Sequence, residues 1–118
     1  MSIQRGDVVL INAPFVTRPG SKIRPMLVIQ NDTNNQRMRN TILATITTNT
    51  ARSGESTQVM IDVSTPEGQL SGLINNSVVS TENLLTVKQT QITRTIGNLP
   101  TGLMDQVDVA LKFSLDLS

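Results

Sequence analysis

Apolar residues along this chain come in short runs separated by clusters of Gly, Pro, Asn and Ser. That pattern belongs to a small all-β barrel or sandwich. Residues 8–11 (VVLI) read as a first strand, and residues 25–30 (PMLVIQ) as a second, opened by a proline where a missing N–H is tolerated. Residues 41–48 (TILATITT) alternate, with Ile42, Ala44 and Ile46 on one face and Thr41, Leu43, Thr45 and Thr47 on the other. Residues 57–63 also alternate, Val59, Ile61 and Val63 opposing Gln58, Met60 and Asp62. Residues 77–80 and 92–96 complete the predicted strands.

The period changes near the end. After Pro100, the run at 103–117 sets Leu103, Met104, Val107, Ala110, Leu111 and Ser114 on one helical face, and Phe113 is expected in the core beside them. Pro100 suits a first helical turn. The fold class is therefore mostly β, a small barrel with one C-terminal α-helix. The 118 residues contain no repeat or linker and are read as a single domain. Three polar connections stand out, at 13–23, 31–40 and 49–56, and loops of that length on a small barrel usually carry function.

Composition removes several chemistries. Cysteine and histidine are both absent, which excludes disulfides, thiolate nucleophiles, the commonest general base and the commonest zinc ligand. No bound catalytic metal and no cofactor are expected. No apolar run approaches the roughly 18 residues of a membrane helix and no signal-peptide core is present, so the protein is read as cytoplasmic and without membrane contact. Charge is lopsided: residues 1–56 hold seven cations against three carboxylates, and residues 57–118 hold three against six. A basic half of this kind suits a polyanion or an acidic peptide, and equally a solvated surface with uneven charge.

One pair of residues can carry chemistry. Arg24 precedes Pro25 and is therefore held towards an extended backbone. Its guanidinium offers a planar fork of donors suited to two phosphate oxygens. Thr47 stands at the end of the next strand, on the face opposite the Ile42, Ala44 and Ile46 stripe. Neighbouring strands can bring its hydroxyl beside Arg24, where the two would bind a phosphate and stabilise developing charge. A solvated arginine and a threonine chosen for strand propensity fit the same pattern.

A longer match narrows the choice. Arg5-Gly6-Asp7-Val8-Val9, then Ile23-Arg24-Pro25-Met26-Leu27-Val28-Ile29-Gln30-Asn31-Asp32, resembles the MazF/PemK (Kid) family of toxin–antitoxin ribonucleases. Residues 41–47 and the segment from Ser77 to Leu84 are similar to that family's later strands. The resemblance implies an SH3-like barrel of the PemK/CcdB type and a homodimer. It also implies metal-independent, sequence-specific cleavage of single-stranded RNA, by attack of the ribose 2′-OH to leave a 2′,3′-cyclic phosphate and a 5′-OH. The family's catalytic Arg and Thr fall on Arg24 and Thr47. RNA contacts are expected at Phe15, Arg18, Ser21 and Lys22 in the first loop and at Asn31, Thr48, Arg52, Ser77, Glu82 and Asn83.

Departures are local: Gln58 stands where many relatives have His, Asn83 where Gln is common, and residues 64–76 run a little long. Arginine stays protonated, so Arg24 serves as a charge stabiliser rather than a base. Glu82 or water is left as the proton acceptor. With Phe15 and Phe113 the only aromatic residues, base recognition must rest mainly on polar groups. Phe15 suits either stacking on a base or anchoring its loop. The implied partner is an acidic antitoxin protein. The alternative is a CcdB-like toxin on the same fold that binds gyrase and cleaves nothing.

Overall fold

A computed structural model describes residues 2–14 and 18–118. Six strands, β1 (Asp7–Pro14), β2 (Ser21–Val28), β3 (Asn40–Thr47), β4 (Gln58–Ile61), β5 (Ser77–Lys88) and β6 (Ile92–Asn98), pair antiparallel in the order β4-β5-β3-β2-β1-β6. Helices α1 (Asp32–Arg37) and α2 (Pro66–Gln69) sit in two connections, a 3₁₀ turn (Gln89–Gln91) joins β5 to β6, and α3 (Thr101–Leu115) ends the fold. None of these helices is long and apolar enough to cross a membrane.

The predicted strands are present, with shifted ends. β2 starts at Ser21, because pairing with β1 carries it through Pro25, opposite Leu10, so Arg24 lies inside a strand. The polar stretch 31–40 contains α1, capped by Asn31. β5 continues past residue 80 to Lys88; this second half has a weak apolar pattern of its own, Leu85 being 39% exposed, and is held by its ladder with β3.

The sheet must roll. Lys88 pairs with Asn40 and Ile92 with Ile11. In a flat sheet those two rows and strands would lie about 30 Å apart. Four residues reach at most about 14 Å. The two halves therefore fold towards each other around Ile3, Val9, Ile11, Met26, Val28, Leu43, Val87 and Ile92, which form one core. The other face packs Val8, Leu27, Ala44, Ile46, Val59 and Val79 against Met104, Val107 and Ala110 of α3. Both faces are thus buried in part, and Thr41 and Leu43, expected opposite the core stripe, are fully enclosed. The helical face read from sequence is the one that packs. Phe113 is corrected: it lies off that face and is 62% exposed.

Strand pairing does not close the cylinder, since β4 and β6 remain edges. The turn after α2 spans the gap instead, where the Asn98 N–H donates to the Leu70 carbonyl at 2.9 Å. A β-carbon on Gly97 would sit 2.3 Å from the Leu70 oxygen, so this seam closes only over a bare backbone. Gly97→Ala is expected to destabilise the fold by about 2 kcal/mol in urea titration. An unchanged midpoint would mean the seam carries little of the stability.

Candidate active site

The sheet register assembles the site. β2 and β3 pair through Met26 and Thr45, and extending that register by two residues sets Arg24 across from Thr47. Arg24 also pairs with Ile11, Ile11 with Ile92, Thr47 with Val78, and Val78 with Met60. One row, Met60-Val78-Thr47-Arg24-Ile11-Ile92, thus crosses all six strands on one face. Two residues along, the parallel row reads Gln58-Ser80-Thr45-Met26-Val9-Thr95. On the β3, β4 and β5 side this face carries Thr45, Thr47, Gln58 and Ser80 beside Met60 and the buried Val78, and the remainder runs into the rolled core. Directly opposed residues on one face have Cβ atoms about 5 Å apart, close enough for two side chains to share one phosphate.

Thr47 is half-buried, and its Oγ1 accepts from the Asn49 N–H at 3.1 Å. With that lone pair used, the hydroxyl proton remains available to donate. Arg24 is exposed and has no ion-pair partner among the described residues.

Arg52 is placed differently. Its Nε and Nη2 donate to both Glu55 oxygens at 2.8 Å, and Nη2 also donates to Glu82. The Glu82 Oε1 further accepts from the Thr57 hydroxyl and, at 3.5 Å, from Gln58 Nε2. Arg52, and then the Thr57 hydroxyl, pull the Glu82 carboxyl down to about 2. Glu55 is lowered by the same guanidinium. A carboxylate that weakly basic is a poor proton acceptor near neutrality. Arg52 can meet a phosphate only if that oxygen joins or displaces a carboxylate.

A bulge presents this cluster. The β3–β5 register jumps from Thr45 opposite Ser80 to Ala44 opposite Leu84, leaving Thr81, Glu82 and Asn83 unopposed. Thr81 is buried and its hydroxyl donates to the Thr57 carbonyl at 2.8 Å. Asn83 donates to Ser80 Oγ at 3.0 Å, and Gln58 to the same oxygen at 3.2 Å.

The remaining expected contacts separate. Lys22 shares the Arg24 face by alternation, and Ser21 and Arg18 precede it at the same sheet end. Thr48 and Ser77 lie on the reverse face, in a cleft of about 310 Å³ with Leu10, Pro25 and Ile74. Asn31 is at the far end of β2, about 23 Å along the strand from Arg24, and its Oδ1 caps α1 by accepting from the Asn34 N–H at 2.8 Å. Phe15 lies outside the described residues. Thr45, Thr57, Gln58 and Ser80 were not expected in the cluster; the signal for Thr45 was its position two residues before Thr47. Arg5 and Asp32 of the matched motif hold structure. The Arg5 N–H donates to Asp32 at 2.6 Å, while its guanidinium donates to the Ile29 carbonyl and to Asp108 at 2.8 and 2.7 Å.

Residues 4–115 match the family described as PemK-like, MazF-like toxin of type II toxin–antitoxin system. The chain is 35% identical to Endoribonuclease EndoA of Bacillus subtilis, over 99% of this chain and 97% of that protein. It is 34% identical to Endoribonuclease MazF6 of Mycobacterium tuberculosis, over 99% and 100%. Its fold is shared with a mycobacterial endoribonuclease in complex with its cognate antitoxin (TM-score 0.77, 20% identity, covering 99% and 98% of the two chains). A MazE–MazF structure from Deinococcus radiodurans is also similar (TM-score 0.76, 17% identity, covering 100% and 99%).

The depressed Glu82 carboxyl has a consequence for stability. Its folded value of about 2 lies below the ordinary 4.5, so the stabilisation is complete above that value and is lost as pH falls from 4.5 towards 2. The thermal midpoint of the native protein should fall more steeply over that window than that of Glu82→Gln. Parallel curves would show that the Arg52 contact does not persist in solution.

Proposed function

The chain belongs to the PemK-like, MazF-like toxin family of type II toxin–antitoxin systems, and from that membership we propose that it is an endoribonuclease cutting single-stranded RNA. The observation that carries the assignment of residues is the β2–β3 register, paired as far as Met26 and Thr45, which continued by two residues sets Arg24 across from Thr47. The ribose 2′-oxygen attacks the adjacent phosphorus, an O2′–P bond forms, and the P–O5′ bond breaks to leave a 2′,3′-cyclic phosphate and a 5′-OH. Arg24, permanently cationic, holds the non-bridging oxygens as negative charge builds on them. Thr47 donates its free proton to one of those oxygens, its orientation supported by the Asn49 N–H. The 2′-OH proton passes to water, since Glu82 is engaged with Arg52 and too weak a base, and water returns a proton to the departing 5′-oxygen to give the 5′-OH. Asn83, exposed and braced by the buried Ser80, reads base edges alongside. The relatives above are named endoribonucleases, which leaves the gyrase-binding alternative without support.

Arg24→Ala and Thr47→Ala should each slow cleavage of a defined RNA at least about a hundredfold, the scale of one lost transition-state donor. Cleavage by native protein should persist in excess EDTA. Near-normal rates in either variant would remove the pair from the chemistry. A magnesium requirement or a 5′-phosphate product would overturn the mechanism.

The proposal extends to partners in the cytoplasm: a homodimer, and an acidic antitoxin that competes with RNA for the basic face. Dimerisation draws support from Val109 and Phe113 on the outer side of α3 and from Leu117 just beyond its end, 55%, 62% and 59% exposed. Inhibition draws support from the uneven charge and from antitoxin complexes among the structural relatives. Adding the antitoxin to toxin loaded with uncleavable RNA is expected to release the RNA. A stable ternary complex would put inhibition elsewhere. Light scattering on the free toxin should give two chains per particle, and one for Phe113→Asp.

A further inference from the structure

Strand pairing does not fix the residues that carry the polar end of the site. Thr81, Glu82 and Asn83 face no residue of β3, because the register jumps across them. Glu82 and Asn83 are nevertheless aimed outward and exposed, while Thr81 is 1% exposed. Neighbouring side chains of an extended segment point to opposite sides, so whatever holds Thr81 inward holds Glu82 outward.

The hold on Thr81 starts on α3. Its Oγ1 lies 2.8 Å from the Thr57 carbonyl, 2.7 Å from Ser114 Oγ and 3.2 Å from the Ala110 carbonyl. A hydroxyl has a single proton to give, and carbonyls only accept. The nearer carbonyl, that of Thr57, takes the Thr81 proton, which leaves Ser114 as donor to Thr81. The Thr81 N–H donates to the same Thr57 carbonyl at 3.0 Å. Thr57 then donates its own hydroxyl to Glu82 Oε1. A chain of hydrogen bonds thus runs from the last turn of α3 to the carboxylate beside Arg52.

The chain crosses the sheet. α3 packs against Ala44 and Ile46 of β3, on the face opposite Thr45 and Thr47. Ser114 therefore acts from behind, out of reach of anything seated on the site, and Thr81 is enclosed. The pairing of Thr47 with Val78 and of Thr45 with Ser80 lies before the jump in register, so the Arg24 and Thr47 geometry does not pass through the bend. We propose that Ser114 and Thr81 are positioning residues for RNA binding, pinning the bend so that Asn83 and Glu82 stand where the strand's bases are read, with no part in bond cleavage. The inference rests on the RNA-cleaving function proposed above.

The test measures cleavage of a defined RNA over a range of concentrations, with Ser114→Ala, Ser114→Thr and Thr81→Val beside the native protein. Ser114→Ala and Thr81→Val should each raise KM about fivefold, the scale of one hydrogen bond, and leave kcat near native. Ser114→Thr keeps the hydroxyl and should keep the native KM. Because both residues serve one chain, the double variant Ser114→Ala/Thr81→Val should lose no more than the weaker single variant. A second readout is independent of activity: the Glu82 carboxyl, followed by NMR, should titrate near 2 in native protein and Ser114→Thr, and closer to 4.5 in Ser114→Ala as its contacts loosen. A tether that served stability alone would lower the melting temperature of Ser114→Ala and leave KM and the Glu82 titration native, which overturns the proposal. So does a fall in kcat at unchanged KM, an additive loss in the double variant, or a Ser114→Thr that behaves like Ser114→Ala. Native protein that cleaves no RNA would strike the enzymatic assignment instead, and the Glu82 titration would still decide the tether.

Discussion

A strand hydrogen-bonded to two neighbours cannot change direction without breaking its ladder, and β5 must do so for the sheet to roll. The break is the unopposed trio Thr81, Glu82 and Asn83. Thr81 turns inward, where its hydroxyl bonds the Thr57 carbonyl, the Ala110 carbonyl at 3.2 Å and the Ser114 hydroxyl at 2.7 Å. One side chain thereby fastens the bend to the β3–β4 connection and to α3. Fastening it in that sense turns Glu82 outward, beside Arg52 and Gln58. The same distortion that lets Lys88 and Ile92 be joined by a short turn builds the polar half of the site.

The arginines on this face are in contrasting states. Arg52 is held by two carboxylates, whereas Arg24 has none among the described residues. A guanidinium without a carboxylate partner keeps its full charge for a transition state, and a paired one contributes chiefly to the shape of the surface. Exposed ion pairs add little to folding, so the Arg52 cluster is better understood as fixing the 49–57 connection over Gln58 than as stabilising the barrel.

The matched sequence motifs divide in the same manner. Arg24 and Thr47 face solvent at one end of the sheet, while Arg5, Gln30, Asn31 and Asp32 serve the other end. Gln30 is 6% exposed and bonds Asn35 and the Asn40 carbonyl, and Arg5 ties the N-terminal segment to α3 through Asp108. Residues contiguous in a motif thus do unrelated work, because one extended strand separates them by most of the molecule's width.

Alternation and helical period by themselves determined the strand set, the packed face of α3 and the shared parity of Thr45 and Thr47. These follow from geometry local to each element, repeating every two residues or every 3.6. The family motif, itself linear, singled out Arg24 and Thr47 but could not tell a site residue from a helix cap at Asn31. Only the tertiary structure decided that both faces of β3 are buried, that Phe113 lies outside, and that Ser77 turns away from Thr47. It also decided that Glu82 is spent on Arg52. Each of these depends on register between strands far apart in sequence and on the bend at Thr81, and no local period carries that information.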